Sequence, residues 1–149
     1  MKKGYKKPNL ESKYFDELFE SLPSLEDKTV LITGTTTGTG YTAAEACGKL
    51  GAKVVLLNRP SERAKTSFEK LKETTSNGSF YPIDCDLQSF ASVRDCIPKI
   101  NELCPEGIDV LCNNAGVMAL EDMPTGDGYD IQMQTNHLSH FLLTKLLWP

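Results

Sequence analysis

Four times between residues 29 and 148, a short apolar run rich in β-branched residues gives way to a stretch with helical spacing. The runs are Thr29 to Thr33 (TVLIT), Lys53 to Asn58 (KVVLLN), Ser79 to Asp84 (SFYPID) and Ile108 to Cys112 (IDVLC). Runs of this length, bounded by turn residues, read as strands buried on both faces. Ala43, Ala46, Cys47 and Leu50 follow the first run at i, i+3, i+4, i+7, and Gly51 is placed to close that helix. Ala64, Phe68 and Leu71 mark a second helix, which ends before an expected turn at Asn77-Gly78. Ser89 is placed to cap a third, whose Phe90, Val93, Ile97 and Ile100 share a face and whose Pro98 predicts a kink. After a loop through Pro124 and Gly128, a single last helix is expected from about Tyr129 to Trp148.

Strands that alternate with helices need right-handed crossovers and therefore a parallel sheet. The expected fold is α/β: a Rossmann-like doubly wound parallel sheet of strand order 3-2-1-4. Leu10, Tyr14, Leu18 and Leu22 are spaced four apart after a possible Ser12 cap, so a short amphipathic helix should precede the domain, ending at Pro23. The expected division is a basic, amphipathic extension over 1–24 and a dinucleotide-binding domain over 25–149.

The first strand runs directly into Thr33-Gly34-Thr35-Thr36-Thr37-Gly38-Thr39-Gly40. A glycine cluster by itself is only a tight turn. At a strand-to-helix junction it leaves bare backbone beside a helix N-terminus, where amide donors and the helix dipole favour a pyrophosphate. The hydroxyls of Thr36, Thr37 and Thr39 can add donors to Gly34, Gly38 and Gly40. The spacing G-x-x-x-G-x-G departs from the commoner G-x-G-x-x-G.

An NAD enzyme of this architecture carries an acidic residue on the ribose 2'-hydroxyl at the end of the second strand. Here that strand ends in Asn58-Arg59. No carboxylate is present to repel a 2'-phosphate, and Arg59 can form a charge-assisted pair with one, so NADP(H) is expected over NAD. The alternative for Arg59 is a solvated surface arginine. Asp86, after the third strand, is placed either to accept from an adenine amino group or to cap the next helix.

The chain has 16 Lys and Arg against 20 Asp and Glu, a formal net charge of −4, so nucleic acid is not an expected partner. The balance is uneven, because residues 1–13 hold Lys2, Lys3, Lys6, Lys7 and Lys13 against Glu11 alone. That arm is either a solvated end or a docking element for an anionic partner. The longest apolar stretch, Leu138 to Trp148, is interrupted by Ser139, His140, Thr144 and Lys145 and is too short for a transmembrane segment. The five cysteines, 47, 85, 96, 104 and 112, form no C-x-x-C pair and sit among apolar residues. They read as reduced core residues of an intracellular compartment, the cytoplasm first, with a plastid or mitochondrion still open. His137 and His140 are spaced to share a helical face, but no third ligand lies near them in sequence, so no metal is expected.

In their order along the chain, TGTTTGTG at 33–40, CDL at 85–87 and Asn113-Asn114-Ala115-Gly116 resemble the short-chain dehydrogenase/reductase family. The stretch NNAGVMALEDMPTGDGYDIQMQTNHLSHFLLTKLL is similar to its retinol dehydrogenase, WW-domain oxidoreductase and protochlorophyllide reductase branch. The resemblance covers about residues 25 to 147. It implies that Gly34 to Gly40 cradle the pyrophosphate, Arg59 the 2'-phosphate, Asp86 and Leu87 the adenine, and Asn114, Ala115 and Gly116 the adenosine ribose side. It also implies that Asn113 ties the central strands together. Asn136 in Thr135-Asn136-His137-Leu138 matches the Asn of the family's catalytic tetrad, which holds a water in a proton relay. The implied chemistry is hydride transfer between nicotinamide and a small carbonyl or alcohol substrate, with a Tyr activated by a Lys in Y-x-x-x-K.

None of the five tyrosines is followed four residues later by Lys; Asn9, Leu18, Glu45, Cys85 and Met133 stand there instead. The tetrad's Ser and Tyr-Lys pair belong after the last helix, so the expectation is a fold truncated before its catalytic half and incompetent alone. The competing expectation is a non-catalytic subunit of a larger assembly, docking a protein partner through the Leu138–Trp148 helix and the N-terminal arm.

Overall fold

A computed structural model of the chain describes residues 15–75 and 78–148. Leu10, Ser12, Tyr14, the basic arm and Asn77 lie outside them. The elements in chain order are α1 (Phe15–Glu20), β1 (Thr29–Thr33), α2 (Gly38–Lys49), β2 (Lys53–Asn58), α3 (Glu62–Thr74), β3 (Ser79–Asp84), α4 (Phe90–Leu103) and β4 (Val110–Cys112). After a long loop come α5 (Ile131–Met133), a π-helical turn over Gln134–Leu138, and α6 (Ser139–Leu147).

The strands form one parallel sheet in the order β3-β2-β1-β4, as the alternation of periods requires. Alternate residues of the two central strands feed opposite cores, the consequence of the two-residue pleat. Leu31, Val55 and Leu57 pack with Val93, Cys96 and Ile100 of α4 and Leu143 of α6. Val30, Ile32, Val54 and Leu56 pack on the other side with Ala44 of α2 and Leu71 of α3. Both faces of the sheet are covered, which is why β1 and β2 read as continuous apolar runs. Pro82 lies in β3, at the edge of the sheet, where a missing N–H costs no ladder bond.

Several boundaries differ from the sequence reading. β4 pairs with β1 only over Val110, Leu111 and Cys112, two residues short of the expected start. Asp109 instead turns its carboxylate back to the Thr29 amide at 2.8 Å and the Lys28 ammonium at 2.9 Å. Those two partners, the amide first, hold its carboxyl below the usual carboxylate range. α4 runs through Pro98 to Leu103, with the proline on its exposed side. The last helix is not uniform: a π turn interrupts it at Asn136. That turn places His137 at the surface and His140 in the interior, so the two do not share a face. α1 is six residues long and leaves Leu18 exposed, with Phe15 stacked on Phe19 at 6.0 Å.

Candidate functional site

The strand-to-helix turn is built by three glycines for different reasons. Gly34 has φ +72°, a backbone that disfavours a side chain, and a Cβ there would lie 2.8 Å from Ala115. Gly38 has φ +63° with nothing within 4 Å of a Cβ position, so it faces open space. A Cβ on Gly40 would fall 2.3 Å from both the Gly34 carbonyl oxygen and Asn114 Nδ2. The last contact lets α2 begin directly against the loop after β4. Thr37 precedes α2 in an extended conformation and makes no side-chain cap bond, which leaves the first-turn amides without a side-chain partner.

Two buried threonines hold the turn in place. Thr35 donates its amide to Asn58 Oδ1 at 2.8 Å, and Asn58 Nδ2 donates to Thr35 Oγ1 at 2.8 Å. Asn58 is therefore committed to the turn, and Arg59 beyond it is exposed at the rim. Thr33 Oγ1, at the end of β1, accepts from the amides of Asn114 at 3.0 Å and Ala115 at 2.9 Å. Asn114 Nδ2 donates back to the carbonyls of Thr33 at 2.8 Å and Gly34 at 3.1 Å. Asn114 thus makes the tie between the central strands that the resemblance assigns to Asn113. Asn113 points the other way and donates to Thr144 Oγ1 on α6 at 3.1 Å.

These pieces surround an open cleft of about 640 Å³ at the carboxyl ends of β1, β2 and β3. Gly34, Thr36, Thr37, Thr39 and Gly40 form one wall, Arg59 lies at the β2 end, Asp86 and Leu87 follow β3, and Asn114, Ala115 and Gly116 close the β4 side. Gly38, Asn113 and Asn136 do not line it. Asp86 Oδ1 accepts from the Gln88 amide at 2.9 Å, a turn bond that leaves its second oxygen free of that contact. Cys85 also lines the cleft; the Cys96 thiol and burial push it upward, so it remains a protonated thiol.

Sequence reasoning missed Thr33, Thr35, Asn58 as a structural pair, Ser61, Arg63 and Thr135. Ser61 and Arg63 stand beside Arg59 on the rim, Ser61 capping α3 through the Ala64 amide. Thr135 lines the cleft, is 6% exposed, and its hydroxyl has no hydrogen-bond partner. Tyr41 and Thr75 also carry buried hydroxyls without a partner among the described residues, but of the three only Thr135 lines the cleft. Only Arg63 carried a usable signal, as a second cation four residues after Arg59.

Asn136 sits at the π turn, and its side chain makes a reciprocal pair with Val117: Oδ1 accepts from the amide and Nδ2 donates to the carbonyl, both at 2.8 Å. Its side chain is spent on that pair, and its backbone carbonyl is contacted by His140 Nδ1 at 3.1 Å. π turns recur at functional sites. Among the described residues, no group of three His, Cys, Asp or Glu is placed to hold a metal.

A bare-backbone cleft between strand ends and an uncapped helix N-terminus is the geometry of dinucleotide-binding α/β proteins. The family model for short chain dehydrogenases matches residues 28–149, and the chain belongs to that family. It is 37% identical over 125 residues to the human polyprenol dehydrogenase, covering 84% of this chain and 38% of that protein. With human retinol dehydrogenase 13 it shares 37% identity over 127 residues, 85% of this chain and 38% of the relative. Among solved structures it resembles the Pseudomonas aeruginosa RhlG/NADP active-site complex, with TM-score 0.69 and 32% identity, covering 85% of this chain and 48% of that one. The chain therefore spans well under half the length of these curated relatives. No helix of the described residues is long and apolar enough to cross a membrane.

Proposed function

We propose that these residues bind NADP(H) and form the cofactor-binding portion, over about 25–149, of a reductase or dehydrogenase acting on a carbonyl or alcohol. The carrying observation is the cleft itself. Its glycine wall admits a pyrophosphate onto the free amides of α2, while the β2 end presents Arg59, Ser61 and Arg63 and no carboxylate. Bound there, the dinucleotide would supply the hydride. Gly34 to Gly40 would hold its pyrophosphate, Arg59 its 2'-phosphate, Asp86 and Leu87 its adenine, and Asn114 to Gly116 its ribose side. Asn136 would present its carbonyl to the relay water. The names of two relatives make long-chain alcohols such as polyprenols and retinol the first substrates to try with the whole protein.

The test of cofactor choice is Arg59→Ala. One lost charge-assisted pair should weaken NADPH binding by about 2 kcal/mol and leave NADH unchanged. Equal loss for both cofactors in calorimetry would reject the 2'-phosphate role, and no NADPH binding by the folded chain would reject the cofactor reading.

The 149 residues contain no Y-x-x-x-K, so by themselves they should reduce no carbonyl. NADPH oxidation by the purified chain with any aldehyde or ketone would overturn this. The exposure of Phe141 (64%) and Trp148 (76%) on and beside α6 favours a second reading, in which that surface docks a protein partner.

A further inference from the structure

His140 is 5% exposed and lies where three parts of the site meet. Its Nε2 is 2.9 Å from Thr33 Oγ1 and its Nδ1 is 3.1 Å from the Asn136 carbonyl oxygen. Counting donors fixes the protonation of the ring. A hydroxyl has one proton and two lone pairs. Both lone pairs of Thr33 are taken by the amides of Asn114 and Ala115. Its proton must go either to His140 Nε2 at 2.9 Å or to the Cys112 carbonyl at 3.5 Å, and the shorter contact wins. Nε2 is then an acceptor, so the ring proton is on Nδ1, facing a carbonyl that can only accept.

We propose that His140, neutral and protonated on Nδ1, is a positioning residue that locks the β4-side wall of the cleft and Asn136 into one arrangement. It orients the Thr33 hydroxyl so that both lone pairs meet the Asn114 and Ala115 amides, and at the same time it fixes the direction of the Asn136 carbonyl. The proposal rests on the cofactor-binding reading in that NADPH affinity is one of its readouts.

Protonation of the ring breaks the lock, because a second ring N–H would face the Thr33 hydroxyl with no lone pair left to receive it. The surroundings oppose that proton. β1 brings no titratable side chain, and the β4 end brings only Cys112. α4 carries the buried thiol Cys96, while its Arg94, Asp95, Lys99 and Glu102 are exposed, as are His137 and Lys145 beside the ring in sequence. Burial lowers the affinity of His140 for a proton and the bond to Asn136 only partly restores it. With its folded value below 6.5, the neutral lock holds above that pH and is lost as pH falls below it.

The test uses the 149-residue chain, nitrogen NMR of the imidazole, amide exchange at Asn114 and Ala115, and NADPH titrations from acid to mildly basic pH. The expected ring is neutral, with the proton on Nδ1, and NADPH affinity should fall on the acid side together with ring protonation. His140→Phe should weaken NADPH about tenfold at basic pH and speed exchange of both amides. His140→Gln, whose terminal oxygen can still accept from Thr33, should recover most of the affinity and remove the part of the acid-side fall that follows ring protonation, leaving the part caused by protonation of the 2'-phosphate itself. A proton on Nε2, or wild-type affinity and amide exchange in His140→Phe, would overturn the proposal. If His140→Phe does not fold, an acid-side fall in His140→Gln as large as that of the wild-type chain overturns it instead. Should the wild-type chain bind no NADPH, the cofactor reading falls, while the tautomer and the exchange rates still decide the lock.

Discussion

The rim of the cleft and the outer flank of β4 and α6 are built on opposite principles. Where the rim meets the strand ends, three polar side chains are buried and paired: Thr33 and Thr35 are 0% exposed, Asn58 is 9% exposed, and each finds its partners within this chain. On the flank, apolar side chains stand in the open, with Val110 47% and Phe141 64% exposed. These three side chains are held by directional bonds made within this chain. The flank gains its order only from its inner side, where Leu143 and Ser139 face the core. Ser139 Oγ donates to the Leu87 carbonyl at 2.6 Å, which ties α6 to the cleft wall.

The sharpest way to break this contrast is within α6. Leu143→Ala removes a side chain that is 0% exposed and should cost about 3 kcal/mol in chemical denaturation. Phe141→Ser, two residues away on the exposed side, should change stability by less than ~0.5 kcal/mol. Comparable losses for the two would mean that the flank is packed in solution. A smaller stability cost is expected at the rim: Gly40→Ala drives a Cβ into the Gly34 carbonyl and Asn114, at about 2 kcal/mol, and should abolish NADPH binding in the same sample. Full binding by that variant would show that the α2 turn is not the phosphate cradle. An effect of opposite sign is set for Thr135→Val. Removing an unpaired buried hydroxyl should stabilise the cofactor-free chain by about 1 kcal/mol, yet weaken NADPH severalfold. Unchanged affinity would show that the hydroxyl does not reach the ligand.

Much of this was legible before the fold was known. Strand order, the two-sided burial of β1 and β2, and the convergence of Gly34, Gly40, Arg59 and Asp86 on one cleft follow from period and position, while the place of Asn114 there is what the family resemblance implied. The two asparagines after β4 illustrate the limit. Neighbouring residues at a strand end point to opposite sides, so Asn113 and Asn114 have interchangeable sequences and exclusive destinations. Which one meets β1 depends on register, and the register places Asn114 there. The π turn was equally invisible, because one extra residue in a helical turn hardly disturbs an apolar pattern as dense as Leu138 to Leu147. It is fixed by the Asn136–Val117 pair, 19 residues apart.

The sequence by itself determined the parallel α/β sheet and the location of its glycine-rich turn. Both depend on local preferences and on a periodicity that repeats every few residues. Only the tertiary structure decided the shortened β4, the tie made by Asn114, the orphan hydroxyl of Thr135 and the tautomer of His140. Each of these is settled by a hydrogen-bond partner, or its absence, that lies far away in the chain. The Thr33–His140 contact alone spans 107 residues.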